Sequence, residues 1–245
     1  MNRICFRFTC GEPLKYISHL DLMRLFQRAF RRSALPVAYS QGFNPHLRFN
    51  LAVPLPVGVT AEEEYGEVIL TEDIPPEEFM MQLREQMPAG VELTGAFCID
   101  EQVPSLPSLV SAALYRATLI TNPDSKEAPA PNYISQIGQS ALKRLLKKEE
   151  ILAPRSSKKN KKKTYVNVRP YIIDVKLKSL DGNLPLQLDL LLQAGSQGGV
   201  SPAFVLEQLS PDLDDDRLQP VYWELHRIRL YRDIDGSLQP LFEGK

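Results

Sequence analysis

The order of elements along the first hundred residues constrains the fold most. Arg3–Phe8 alternates, with Ile4, Phe6 and Phe8 on one face and Arg3, Cys5 and Arg7 on the other, which predicts a half-buried strand with the cations outward. Ser18 and Asp21 form a helix-capping signal, and Leu22, Leu25, Phe26, Ala29 and Phe30 recur at helical spacing. Two extended segments follow, Phe49–Pro54 and Tyr65–Thr71, with Gly58 and the acidic run Glu62-Glu63-Glu64 between them. Pro75-Pro76-Glu77-Glu78 opens a second helix with buried Phe79, Leu83 and Met87, and Pro88 stops it. Val91–Ile99 reads as a further strand, completing β-α-β-β-α-β, the ferredoxin-like order.

The second half repeats that order. Leu109–Thr121 is strand-like, the spacer Asn122–Pro131 precedes a helix over Tyr133–Lys147, and Tyr171–Lys178 alternates as a half-buried strand. Asp181-Gly182 predicts a hairpin into Leu184–Gln193. Ser201-Pro202 begins a short helix ending near Leu209, and Val221–Tyr231 is the last strand, its alternation broken around Arg227. The expected fold class is therefore α+β, as two tandem ferredoxin-like units. One spans residues 1–102 and the other 108–245, joined at Val103–Pro107. A mobile lysine-rich loop is expected at 149–164, where five of the six residues from Lys158 to Lys163 are lysine.

Charge is segregated along the chain although the formal net charge is only −1. The first fifty residues hold eight Lys/Arg against two acids, residues 51–100 one against eleven, and residues 151–200 nine against three. Acidic and basic stretches of this kind either pair with each other or form separate faces for partners. Cys5, Cys10 and Cys98 lack any C-x-x-C spacing, so no disulfide framework, structural zinc or iron–sulfur cluster is expected. There is no phosphate-binding glycine motif, and no apolar run of membrane-spanning length or signal-like start. A cytoplasmic protein without cofactor, metal or membrane contact is expected.

Residues 18–58 concentrate the functional candidates. Arg24, Arg28, Arg31 and Arg32 line the helix side opposite its apolar stripe, a plausible anion surface. The loop that follows, Tyr39 to Arg48, brings a hydroxyl at Ser40, amides at Gln41 and Asn44, an aromatic ring at Phe43 and the imidazole of His46 close together. Aromatic and amide groups in this mixture stack on bases and bond their edges. The candidate RNA-binding set is Arg24, Arg28, Arg31, Arg32, Tyr39, Gln41, Phe43, Asn44, His46 and Arg48, together with Lys158, Lys159, Lys161, Lys162 and Lys163. Alternatives stand beside this. Arg28 and Arg32 would pair with the acidic stretch Glu62–Glu67, and Phe43 would be a buried anchor for its loop. His19 and His46 would converge as a general acid and base, or with Asp21 as metal ligands. No catalytic residue or metal ligand is assigned.

The run SHLDLMRLFQRAFRR, then LPVAYSQGFNPH and LAVPLPVG, resembles a bacterial family described as radical-SAM-linked or radical-SAM-associated. The resemblance covers residues 3–70 most specifically. Val168-Arg169-Pro170-Tyr171 and Gly199-Val200-Ser201-Pro202 fit its second half. His46-Leu47-Arg48 stands where the family reads His-Pro-basic. The resemblance implies a separate radical S-adenosylmethionine (radical SAM) enzyme as partner. Together with the basic, aromatic-bearing segment it leads to the expectation of an auxiliary protein that presents a structured RNA, ribosomal or transfer RNA, to that enzyme. Two other functions remain open: a docking scaffold for the radical enzyme without RNA binding, and an endoribonuclease or RNA-modifying enzyme using His19 or His46.

Overall fold

The computed structural model describes residues 2–120, 131–157, 160–178, 186–209 and 222–242. Its elements in chain order begin with β1 (Asn2–Cys10), α1 (His19–Arg32), β2 (Phe49–Leu51), β3 (Val59–Leu70), α2 (Pro76–Arg84) and β4 (Leu93–Cys98). They continue with α3 (Leu106–Leu109), β5 (Val110–Ile120), α4 (Pro131–Lys147), β6 (Leu152–Ser157), β7 (Asn160–Asn167), β8 (Ile172–Leu177), β9 (Leu186–Gln193), α5 (Pro202–Glu207), β10 (Tyr222–Ile234) and β11 (Ser237–Pro240). The fold is α+β. Nine strands hydrogen-bond in one sheet along the path β4-β1-β3-β10-β5-β9-β8, with β2 also on β3 and β11 on β10, and β6 with β7 forms a separate two-stranded sheet. Two compact units divide the chain, Met1–Ala113 with His226–Lys245, and Leu114–Leu225.

In the first unit β1 pairs antiparallel with both β3 and β4, so that Phe6 lies opposite Gly66 on one side and Ala96 on the other. Gly66 is required there. A Cβ at that position would stand 2.2 Å from Cζ of Phe6, because the ring lies flat over the glycine. The helices cover the Ile4–Phe6–Phe8 face. Leu22, Phe26, Ala29 and Phe30 of α1 are buried, as are Phe79 and Leu83 of α2, matching the apolar stripes in the sequence. The rings interlock, with centroids 4.9 Å apart for Phe8–Phe26, 5.3 Å for Phe6–Phe26 and 5.4 Å for Phe30–Phe49, distances at which edge-on aromatic contact adds to simple burial.

Two expectations fail in this unit for one physical reason. Glu62-Glu63-Glu64 does not separate two strands but lies inside the twelve-residue β3. Arg3, Cys5 and Arg7 do not form a solvated face: Arg3 and Cys5 are buried and Arg7 is half-buried. The acids and the cations satisfy each other. Arg3 bonds to Glu67, Arg7 lies 3.7 Å from Glu63, and Arg227 and Arg229 of β10 reach Glu64 and Glu63. Charges that would each exclude a strand from a buried position are tolerated as neighbours across the ladder.

In the second unit β8 and β9 pair antiparallel, with Leu186, Leu188, Leu190 and Leu192 of β9 buried in alternation. The predicted Asp181-Gly182 turn lies outside the described residues. Arg116 of β5 binds Asp189 of β9 at 2.9 Å, and Gln187 donates to Thr118 at 3.1 Å. α4 carries buried Ala141, Leu142 and Leu145, and its Gly138 sits against Leu186, where a Cβ would come within 2.8 Å. The guanidinium of Arg169 donates to the carbonyls of Leu146 and Lys148 at the end of α4, both at 3.1 Å, satisfying groups the helix leaves unpaired. Within the segment expected to be a mobile loop at 149–164, β6 and β7 pair antiparallel from Leu152↔Asn167 to Ser157↔Asn160, and residues 158–159 lie outside the described residues.

Candidate nucleic-acid interface

The N-terminus of α1 is fixed by Ser18, whose hydroxyl accepts from the amide of Asp21 at 3.2 Å and donates to its carboxylate at 2.7 Å. Arg24 reaches the same carboxylate at 3.0 Å. The Ser18 hydrogen bond, then Arg24, hold the Asp21 carboxyl below its ordinary range. Arg32 turns to the end of α2 and donates to the side chain of Gln86 at 3.2 Å and to its carbonyl at 2.7 Å. Arg28 and Arg31 are exposed and make no hydrogen bond or ion pair among the described residues. The predicted pairing of Arg28 and Arg32 with Glu62–Glu67 is absent there. Those acids are taken by Arg3, Arg7, Arg227 and Arg229, with His226 3.8 Å from Glu62.

The loop after α1 is a small pinned structure. Ser40 donates its amide to the carbonyl of His46 at 2.8 Å, its hydroxyl accepts from the amide of His46 at 3.0 Å, and the amide of Arg48 donates to the carbonyl of Ala38 at 2.8 Å. Ala38 and Arg48 are in turn bonded to Ile69 of β3. The base of the loop is thereby an extension of the sheet. Gln41 to Pro45 form its tip, where Gly42 takes φ +124°, a value that side-chain-bearing residues avoid. Phe43 is wholly exposed, at 106% of its reference area, so it anchors nothing. Tyr39, Gln41, Asn44, His46 and Arg48 are exposed as well.

Beneath the loop lies a cavity of 880 Å³ within the first unit. Ser40, His46 and Arg48 line it from the loop, Phe49 and Asn50 from β2, Arg3 from β1, and Glu67 and Ile69 from β3. The connection Glu101–Ser105 closes another side. Arg3 is the organising residue. Its Nε and Nη2 donate to Glu67, its Nη1 to the carbonyls of Asp100 and Val103, and its Nη2 also to the carbonyl of Pro104 at 2.9 Å. Asn50 donates to the second oxygen of Glu67 at 3.0 Å. Asn50 and Glu67 were missed as site residues, and Arg3, expected to point outward as part of a basic surface, is buried. The signal for Asn50 was its place between buried Phe49 and Leu51, which turns it to the opposite face of β2.

His19 and His46 do not share a site. His46 lines the large cavity, whereas His19 lines a small apolar one with Cys10, Leu22, Leu55 and Val59, and no residue lines both. Burial first and the Arg227 cation second push the His19 imidazole below its ordinary pKa. Burial, reinforced by Glu64 and opposed by Arg227, pushes the Cys10 thiol up to about 11, which makes it a poor nucleophile. Among the described residues no group of three His, Cys, Asp or Glu is placed to hold a metal ion. No helix among them is long and apolar enough to cross a membrane. Of the lysine run, Lys158 and Lys159 lie outside the described residues, and Lys161, Lys162 and Lys163 lie on β7 of the second unit.

The family model described as "Uncharacterized protein conserved in bacteria (DUF2344)" matches residues 3–202. No curated protein matches the chain.

Proposed function

The chain belongs to that bacterial family, and we propose that it is an auxiliary RNA-binding protein that presents a structured RNA, ribosomal or transfer RNA, to a separate radical SAM enzyme. The observation that carries the reading is Phe43, a bare aromatic ring on a loop whose base is tied by hydrogen bonds to the sheet. An exposed ring contributes nothing to folding, and it is pre-organised to stack on an unpaired base. Arg28 and Arg31 in the same unit add exposed cations suited to phosphates. The radical SAM partner rests on the sequence resemblance of residues 3–70. The strand orders support a finer fold reading. In this reading β4-β1-β3 with β2 on β3, and β10-β5-β9-β8, would be the two four-stranded ferredoxin-like sets, with the strand order as the support. The lysines of 158–163 belong to the proposed RNA contacts.

A second reading, a docking scaffold for the radical enzyme, draws on exposed Tyr16, Leu20 and Val57. A backbone bond from Gly58 to the carbonyl of Lys15 at 2.7 Å joins two of their segments.

Titration of fluorescent structured RNA at several salt concentrations tests the proposal. Arg28→Glu with Arg31→Glu weakens binding across sequences and flattens the salt slope by about 0.7–0.9 for each phosphate that is no longer neutralised. Phe43→Ala costs about 1–3 kcal/mol of affinity for an RNA with an unpaired base. Folded variants that bind as the parent does at low and moderate salt refute it, and an RNase-resistant complex with the radical enzyme then favours the scaffold.

A further inference from the structure

We infer that the β6–β7 ribbon of the second unit is an RNA-contact element in its own right, which stacks an unpaired base on Tyr165 and holds the adjoining phosphates through Arg155 and the lysines of β7. The inference rests on the RNA-binding reading and adds to it a site and a substrate class, an unpaired RNA segment rather than a duplex. β6 and β7 bond to each other in a two-stranded sheet apart from the nine-stranded one. The base of the ribbon is pinned. The amide of Val168 donates to the carbonyl of Ile151 at 2.8 Å, and the side-chain oxygen of Asn167 accepts from the amides of Ile151 and Arg169, both at 3.0 Å.

The ring of Tyr165 serves the core little. Tyr165 stands two residues from the pinned base, directly across from Pro154, and Leu152 shares that face because alternate residues of a strand do. Tyr165 is 58% and Leu152 49% exposed, and Pro154 is exposed as well. Neither Tyr165 nor Arg155 makes a side-chain hydrogen bond or ion pair among the described residues. A flat ring left to solvent on a pinned strand is a platform on which an unpaired base stacks. A duplex keeps its bases stacked on one another and has no such use for it.

Charge selects the kind of partner. Residues 152–167 carry six Lys/Arg and no Asp or Glu. Arg155 is exposed and pairs across the ribbon with Thr164, the neighbour of Tyr165. Between Arg155↔Thr164 and Ser157↔Asn160, β6 advances two residues and β7 four, so the positions of Lys161, Lys162 and Lys163 bulge opposite the single Ser156. Cations are thereby concentrated within a few positions of the ring. A polyanion whose bases have free faces meets both features, phosphates on the cations and a base on the tyrosine. An anionic lipid surface would use the cations, but it draws on buried apolar area, of which Leu152 and Tyr165 supply little. Pro154, on an edge strand, disfavours addition of a strand from another protein.

The test uses the full chain and a fluorescent, unstructured oligopyrimidine RNA of about ten nucleotides, with a duplex of the same length beside it, titrated by anisotropy at several salt concentrations. Tyr165→Ala is expected to weaken single-strand binding about five- to hundredfold, the range for one lost stacked base, and to leave duplex binding unchanged. Tyr165→Phe, which keeps the ring, binds as the parent does. Arg155→Glu lowers the salt slope by about 0.7 for the phosphate it no longer neutralises. A 4-thiouridine in the strand crosslinks to the peptide that contains Tyr165. Both residues are exposed, so the variants should melt with the parent; if Tyr165→Ala does not, Arg155→Glu and the crosslink decide. Unchanged binding by folded Tyr165→Ala, equal losses in Tyr165→Phe, or crosslinks only outside residues 152–167 overturn the inference. So does binding of phosphatidylglycerol vesicles that needs Tyr165 while RNA binding does not. Phe43→Ala in the same titrations separates the two ideas. Structured-RNA binding that falls with Phe43→Ala and ignores Tyr165→Ala keeps the first-unit reading and removes the ribbon. Single-strand binding that falls with Tyr165→Ala and ignores Phe43→Ala keeps the ribbon and removes the first-unit contacts.

Discussion

Replacing Arg227 by methionine separates the ion pairs that hold the first unit from those that merely decorate it. Arg227 and Glu64 are 1% and 4% exposed, with Nε 2.6 Å and Nη2 2.5 Å from the two carboxylate oxygens. Arg227 also donates to the carbonyls of Pro54 at 3.0 Å and Val53 at 3.4 Å, tying β10 to the segment after β2 as well as to β3. Arg227→Met leaves a buried carboxylate without its cation and two carbonyls without a donor. Breaking one side of a buried pair costs about 3–5 kcal/mol. For a chain of this size about 2–4 °C of Tm accompanies each kcal/mol, so a fall of about 6–20 °C is expected. Arg229→Met is the control, since that side chain is 45% exposed and lies 3.4 Å from Glu63. Its removal costs less than about 1 kcal/mol.

Urea unfolding followed by the fluorescence of Trp223, the single tryptophan and four residues from Arg227 on β10, reads both variants. The double variant Arg227→Met with Glu64→Leu decides the mechanism. Removing both charges eliminates the stranded carboxylate, so the double variant is more stable than Arg227→Met alone. Arg227→Met within about 1 kcal/mol of the parent, or a double variant no more stable than the single one, refutes the reasoning.

Gly66→Ala is expected to destabilise by about 1–3 kcal/mol or more, because its Cβ meets the Phe6 ring. Gly95→Ala is close to neutral, since its nearest neighbour would be 3.5 Å away, and thermal melts compare the two. His19 makes the fold pH-dependent. Its imidazole titrates below 6.5 in the folded protein, so the unfolded chain binds its proton first as pH falls, and stability present above 6.5 is lost on acidification down to the folded pKa. His19→Gln flattens that part of the stability–pH profile, and parallel profiles for parent and variant count against it.

The helices and most of the strands were legible because each carries its own periodicity. α1 begins at the predicted capping serine, and α2 buries the predicted Phe79 and Leu83. What was not legible depended on partners distant in sequence. Glu62-Glu63-Glu64 reads as a solvated turn until Arg7, Arg227 and Arg229 are brought beside it from β1 and β10. The break in alternation at Arg227 was visible and suggested a bulge, but the residue is a buried cation whose partner lies 163 positions earlier. The loop residues were singled out from their chemistry alone, and of the two readings of Phe43 the structure excludes the buried anchor, since its ring is exposed. The cavity beneath them was not found. It is formed by Arg3 gripping Glu67 and the carbonyls of residues 100–104, a set of long-range bonds with no local pattern.

The distribution of charge in the first unit separates the groups that hold the fold from those that take no part in it. The glutamates of β3 are matched within the sheet by β1 and β10, and the Arg3–Glu67 and Arg227–Glu64 pairs are buried. Desolvated pairs of this kind cannot be broken one member at a time without a large penalty. Arg28 and Arg31 belong to no such pair, and their side of α1 contributes nothing to the phenylalanine core beneath it. Had the acids of β3 been drawn to α1, the helix cations would have been neutralised and Arg3 would have had no counter-charge in the sheet. Placing arginines on β1 and β10 instead leaves Arg28 and Arg31 of α1 without an ion pair among the described residues. The same arrangement puts a buried carboxylate and an exposed amide under the Tyr39–Arg48 loop. The exposed Arg28 and Arg31 and the Arg3–Glu67–Asn50 network thus both follow from how the β3 glutamates are neutralised. Charge reversal at Arg28 and Arg31 should therefore move binding without moving stability, whereas charge removal at Arg227 moves stability.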